Sequence, residues 1–209
     1  MAGRSLSIAI ALVFLVAHAS AYKAGPPVGS VNGICGNMIP QHGVPPMATT
    51  SPISFKLSQS CFGPTQTVRI EVSASGDPIE GLFIQARTDS FPNATSSLGK
   101  FRAYVRHTAT YNCFSGTQNA LGHKDDEPKV QKMNVYWQAP NNLDKDILVG
   151  GTFVIHEKEF WVNQFVKIQY SADCQQMATG EAEEKDSGAS ANIVSMIVLS
   201  AVLFVHKLL

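Results

Sequence analysis

From residue 53 onward the chain is written in short alternating runs. Ile53-Ser54-Phe55-Lys56-Leu57 alternates apolar with polar. Thr67 to Val72 sets Val68, Ile70 and Val72 against Thr67, Arg69 and Glu71, and Met133-Asn134-Val135-Tyr136-Trp137 repeats the pattern. A two-residue period predicts strands with one face on a core. Gly81-Leu82-Phe83-Ile84-Gln85-Ala86-Arg87 differs. Leu82, Ile84 and Ala86 fall on one side and Phe83, Gln85 and Arg87 on the other, with apolar residues on both. That predicts an interior strand covered on each side, around which the rest is organised. Ile147 to Ile155 and Trp161 to Tyr170 predict two long strands, Phe101 to Val105 and Ala109 to Phe114 two weaker ones.

Turn chemistry separates these runs at Phe62-Gly63-Pro64, Ser75-Gly76-Asp77-Pro78 and Asn141-Asn142-Leu143-Asp144. Ala120 to Lys129 reads as a polar loop, and Pro140 ends the strand before it. Residues 22–51, rich in Gly and Pro, predict an irregular entry segment. No helix is required. Eight or nine short strands with turns between them predict an all-β antiparallel sandwich.

The two ends have another grammar. Arg4, the apolar run Ile8 to Ala17 and the small-x-small Ala19-Ser20-Ala21 predict a signal peptide over residues 1–21. At the far end, an acidic stalk over 179–190 precedes a hydrophobic tail over 191–209. Small residues followed by a terminal apolar tail are the order of a glycolipid-anchor signal, with Ser187 the candidate attachment residue. The spacer after Ser187 is shorter than that signal's usual one, and a short single transmembrane helix is the other reading. Between the ends lies one domain, residues 22–178, large enough to bury its own core.

Arg4 and Lys207 lie in the ends, which leaves 14 basic against 16 acidic residues, a net of −2, with no sign of a nucleic-acid partner. Cys35, Cys61, Cys113 and Cys174 are an even set in a secreted chain and predict two disulfides, with three pairings open. Asn93 heads the sequon Asn93-Ala94-Thr95.

Chemistry is sparse. His42, His107, His123 and His156 are scattered, with no paired spacing that would hold a metal. His123-Lys124-Asp125-Asp126-Glu127 reads as a solvated turn. There is no nucleophile elbow, and two disulfides leave no thiol for catalysis. No catalytic residue, metal or cofactor is assigned. Arg87, Lys100, Arg102 and Arg106 form the basic grouping. Lys100, Arg102 and Arg106 share parity, with Tyr104 among them, and could meet phosphate or sulfate groups. The plainer reading is a solvated strand face. Trp137 and Trp161, flanked by aliphatics, read as core.

Taken in order, several motifs resemble one family. Cys35-Gly36-Asn37-Met38 with Pro40-Gln41-His42-Gly43 and Pro45-Pro46 looks like the opening of a reeler domain. Gly81 to Arg87 resembles that family's central strand, Gly99-Lys100-Phe101 its following "G-x-F", and Ala120-Leu121-Gly122-His123 its Gly-His loop. Val135 to Pro140 resembles its "W-x-A-P" stop, and Phe160-Trp161-Val162 its "YWV". The match runs from about Cys35 to Cys174.

The resemblance implies an immunoglobulin-like sandwich. It implies a Cys35–Cys113 bridge, and keeps Cys174 as the family's closing cysteine. The family's usual partner for that residue is missing, since Ile147-Leu148-Val149 holds no cysteine, and Cys61 takes its place. Some family members are ferric-chelate reductases through haem-bearing membrane helices in another domain, for which this chain has no room. The expectation is therefore a non-catalytic extracellular protein, secreted or held at the outer face of the plasma membrane by its tail. Its expected role is innate defence, binding microbial surface glycolipid or polysaccharide. The alternative is a cell-surface adhesion or matrix module binding host glycans.

Overall fold

The structure is a computed structural model and describes residues 24–29, 33–88, 94–125 and 130–174. The signal peptide, Asn93, Ser187, the stalk and the tail lie outside the described residues. Among the described residues there are ten strands and one short helix: α1 (Ile34–Asn37), β1 (Ile53–Leu57), β2 (Cys61–Phe62), β3 (Thr67–Ala74), β4 (Gly81–Arg87), β5 (Lys100–Arg102), β6 (Thr108–Tyr111), β7 (Ala120–His123), β8 (Lys132–Gln138), β9 (Ile147–His156) and β10 (Glu159–Tyr170).

They form two sheets, β1-β3-β8-β5 and β2-β10-β9-β4-β7-β6. All pairings between these strands are antiparallel except the short β2–β10 contact. The inner faces meet in one core. Val68, Ile70 and Val72 of β3 and Met133, Val135 and Trp137 of β8 face Leu82, Ile84 and Ala86 of β4 and Ile147, Val149 and Phe153 of β9. This is the antiparallel sandwich that the alternation predicts, and it agrees with the immunoglobulin-like fold that the resemblance implies.

Two expectations are corrected. Ala120–His123, read as loop, is strand β7; it fills the register beside β4 as Phe83↔Gly122, Ile84↔Leu121 and Gln85↔Ala120. Phe62, read as the start of a turn, is in strand β2 with Cys61, and the two pair with Tyr170 and Gln169.

β4 is buried at all seven positions. Its second face is covered by the entry segment. Phe83 packs there with Ile34, Met38, Cys113 and Ala120. The hydroxyl of Thr152 donates to Met38 O, and the Trp161 indole N–H donates to Thr49 O at 3.0 Å. The Met47 amide donates to Phe160 O at 2.9 Å. Two glycines permit close approach. A Cβ on Gly151 would lie 1.8 Å from Phe83 O. Gly99 has φ +69° and a Cβ there would meet the Trp137 ring nitrogen at 2.4 Å. Trp137 is fully buried, and its N–H donates to Leu98 O at 2.9 Å.

Disulfides join Cys35 to Cys113 and Cys61 to Cys174. The first ties the entry segment to the loop after β6. The second ties the end of β10 to β2.

Candidate binding site

The basic residues singled out in the sequence separate in space. Arg87 is fully buried, which removes it from any binding surface. Its position explains why. It lies on the second face of β4, and the entry segment closes over it. The guanidinium donates to Gln85 Oε1 at 2.9 and 2.7 Å, to Gly36 O at 3.0 Å and to Cys35 O. Gln85 Nε2 in turn donates to Cys35 O at 3.2 Å. Arg87 and Gln85 thus serve the backbone carbonyls of α1, whose turn cannot satisfy them internally.

Lys100 and Arg102 are exposed and point outward from β5, an edge strand, with Phe101 between them in the core. Arg106 does not continue their row. β5 stops at Arg102, and Arg106 is an exposed turn residue beyond it.

An open depression of about 390 Å³ lies at this edge. Lys100, Arg102 and Tyr104 line one side, and Thr110, Gln118 and Gln138 line much of the rest. The backbone places them. Phe101 N–H donates to Gln118 O at 2.8 Å, which draws the β6–β7 loop against β5. That loop is fixed by Asn119, only 2% exposed, whose side chain bonds the Cys113 amide at 2.7 Å and the Cys113 and Ser97 carbonyls at 3.0 Å. Arg102 donates to the Tyr104 hydroxyl at 2.8 Å, and the Tyr104 ring stands edge-on to Tyr136 at 5.3 Å. Tyr104 is 64% exposed.

The arrangement offers two cations, hydroxyl and amide groups and an exposed aromatic ring. It can hold an anionic, hydroxyl-rich ligand by charge-assisted hydrogen bonds. Gln138 lines the depression from β8, and Tyr136 of the same strand backs the Tyr104 ring. Their partnership with β5 depends on strand order, which the residues alone do not reveal.

The histidines have separate places. His123 Nδ1 meets the Leu82 amide at 3.2 Å, which links β7 to β4. His107 Nδ1 contacts Asp125 Oδ1 at 2.8 Å. His156 contacts Asp77 at 3.3 Å and Glu80 at 3.5 Å, and the Asp77 hydrogen bond, opposed by desolvation and aided by Glu80, raises its pKa above the usual 6.5. Among the described residues no group of three or more His, Cys, Asp or Glu side chains is placed to hold a metal ion.

The family model "Reeler domain" matches residues 33–178. Ferric-chelate reductase 1 of Bos taurus is 29% identical over 154 residues, covering 73% of this chain and 25% of the relative. The chain thus spans about a quarter of the length of the reductases it matches. Hdd11 of Hyphantria cunea, named for a proposed role in defence, is 30% identical over 159 residues, covering 70% of this chain and 87% of that protein. The human F-spondin reeler domain crystal structure aligns with TM-score 0.48 at 13% identity, covering 61% of this chain and 94% of that one. The chain belongs to the reeler domain family.

Proposed function

We propose that this reeler domain is an extracellular defence protein that binds microbial surface components and performs no covalent chemistry. The observation that carries this reading is the exposed cationic edge of β5. Lys100 and Arg102 flank an open depression with Tyr104 and side-chain amides on its walls. Phosphorylated or acidic surface glycans present the complementary groups. Hdd11, similar over most of its own length, supports a defence role, whereas the reductases are matched over about a quarter of theirs.

The test uses the secreted full chain and washed bacterial cells. The parent protein is expected to sediment with the cells, and Lys100→Ala with Arg102→Ala is expected to lower its bound fraction about tenfold. Equal binding by parent and double variant, with both folded, would refute the site.

A further inference from the structure

We infer that the Asp77–Pro78 bond is a self-processing site, hydrolysed in mild acid by attack of the Asp77 carboxylate with His156 as proton donor. The inference goes beyond the reading above and does not depend on it, because the substrate is the chain's own backbone and no ligand takes part.

Sequence supplies the reactive pair. Asp77 heads the one Asp–Pro bond of the chain. An aspartate carboxylate reaches its own carbonyl carbon by closing a small ring, an encounter that needs no second molecule. Proline makes the leaving nitrogen that of a tertiary amide with no N–H.

The fold presents that pair and brings a proton to it. Asp77 is exposed in the connection between β3 and β4. His156, at the end of β9, sits between two carboxylates of that connection. Its Nε2 lies 3.3 Å from Asp77 Oδ2 and its Nδ1 3.5 Å from Glu80 Oε1. Only the imidazolium carries an N–H at both nitrogens, so two carboxylate partners select the charged ring. The two contacts bracket the stretch 77–80, which contains the bond to be cut. On the ring's own hairpin Glu159 pairs with His156 across the strands, with Glu157 and Lys158 in the turn between them. Val130 and Gln131, which meet the connection from the side of β8, carry no charge. The Asp77 hydrogen bond, with Glu80 beside it, holds the imidazole proton to a higher pH than the usual 6.5, against desolvation.

The attack forms a C–O bond at the Asp77 carbonyl carbon and breaks its bond to the Pro78 nitrogen, which takes the imidazolium proton. Water then opens the cyclic anhydride, leaving two carboxyl groups on Asp77 and returning a proton to His156.

The surroundings keep the cut ends in place. Gln131 Nε2 donates to Gly76 O at 2.7 Å on one side. On the other, Ile79 and Val130 exchange backbone hydrogen bonds at 2.7 and 3.3 Å, and the Glu80 amide donates to Val154 O at 2.8 Å. Cys35 and Cys61 precede the bond, and Cys113 and Cys174 follow it, so both disulfides cross it. Hydrolysis therefore yields two chains joined twice by sulfur, in a domain that keeps its shape. Acid exposure leaves a permanent mark, and the halves part only where both bridges are reduced.

The test holds the secreted full chain with protease inhibitors at about pH 5 and at about pH 7.5, on either side of the histidine range. At the acid pH the parent is expected to stay one species on a non-reducing gel and to give two on a reducing gel, with a new N-terminus at Pro78 by mass spectrometry. At the higher pH it stays intact. Asp77→Ala is expected to abolish the cut, and His156→Gln to slow it about tenfold, less than loss of an enclosed proton donor would. Unfolding the parent in urea at the acid pH is expected to slow it as much. Near-ultraviolet dichroism would show that both variants are folded. An uncut parent overturns the inference, as does cutting in folded Asp77→Ala, a parent-like rate in folded His156→Gln, or an equal rate in the unfolded chain.

Discussion

Arg87 gives the sharpest test of how the domain is held together. The change Arg87→Met keeps an unbranched apolar side chain of similar length and removes every donor. Cys35 O retains its bond from Gln85 Nε2. Gln85 Oε1, fully buried, and Gly36 O, partly buried, lose the guanidinium that serves them. Two such acceptors left without donors cost about 1–3 kcal/mol each, or roughly 2–6 kcal/mol together. Relief from burying a charge returns part of that, so a net loss of about 2–4 kcal/mol is expected. For a domain of this size it lowers the thermal midpoint by roughly 5–15 °C. The Cys35–Cys113 bond still tethers the entry segment, so the variant folds and the loss shows as loosened packing. The assay is thermal unfolding followed by near-ultraviolet dichroism, with amide exchange at residues 34–38 as the local readout. Binding to bacterial cells at ambient temperature is expected to be unchanged. A midpoint within about 1 °C of the parent, or an unshifted midpoint with lost binding, would refute the internal role given to this arginine.

Two further outcomes follow from the same structure. His156 has a raised pKa, so it binds its proton more tightly in the folded state, and the stability from its contacts with Asp77 and Glu80 is present below about pH 6.5 and lost as pH rises through the folded value. Thermal midpoints taken from about pH 5.5 to about pH 8 should therefore fall more for the parent than for His156→Gln, and parallel curves would contradict this. Replacing Cys61 and Cys174 by alanine opens a bridge across 113 positions, worth about 5 kcal/mol in the chain-entropy model. Secreted yield and denaturation midpoint should both drop, and a double variant as stable as the parent would sink the assignment of that bridge as structural.

Much of the fold was legible because burial and alternation act locally. The two-sided apolar character of Gly81 to Arg87 marked the central strand, and both its faces are indeed covered. The alternation of Thr67 to Val72 and of Met133 to Trp137 placed the inner residues correctly. β7 escaped because four residues containing a glycine carry no period, and its strand state comes from the ladder it makes with β4. β2 escaped because two residues cannot show a pattern at all.

The site was legible only in part. Lys100 and Arg102 share a face by simple parity, and the structure exposes both. Arg106 was grouped with them on the assumption that the strand continued, but it ends at Arg102. Arg87 was misread because an arginine is seldom enclosed, and its real surroundings are carbonyls about fifty positions earlier in the chain. Gln138 and Tyr136 join this site from β8, but nothing local states that β8 and β5 are neighbours. That is a property of the sandwich as a whole.

The bridge between Cys61 and Cys174 also decides how the domain carries a mechanical load. A pull on the chain beyond Cys174 reaches a covalent crosslink before it reaches β10, and the sulfur pair diverts tension into Cys61. The long hydrogen-bonded seam between β9 and β10 is thereby spared from being peeled open one rung at a time. A domain loaded through its C-terminal end would hold its shape until the force could distort the rest of the sandwich.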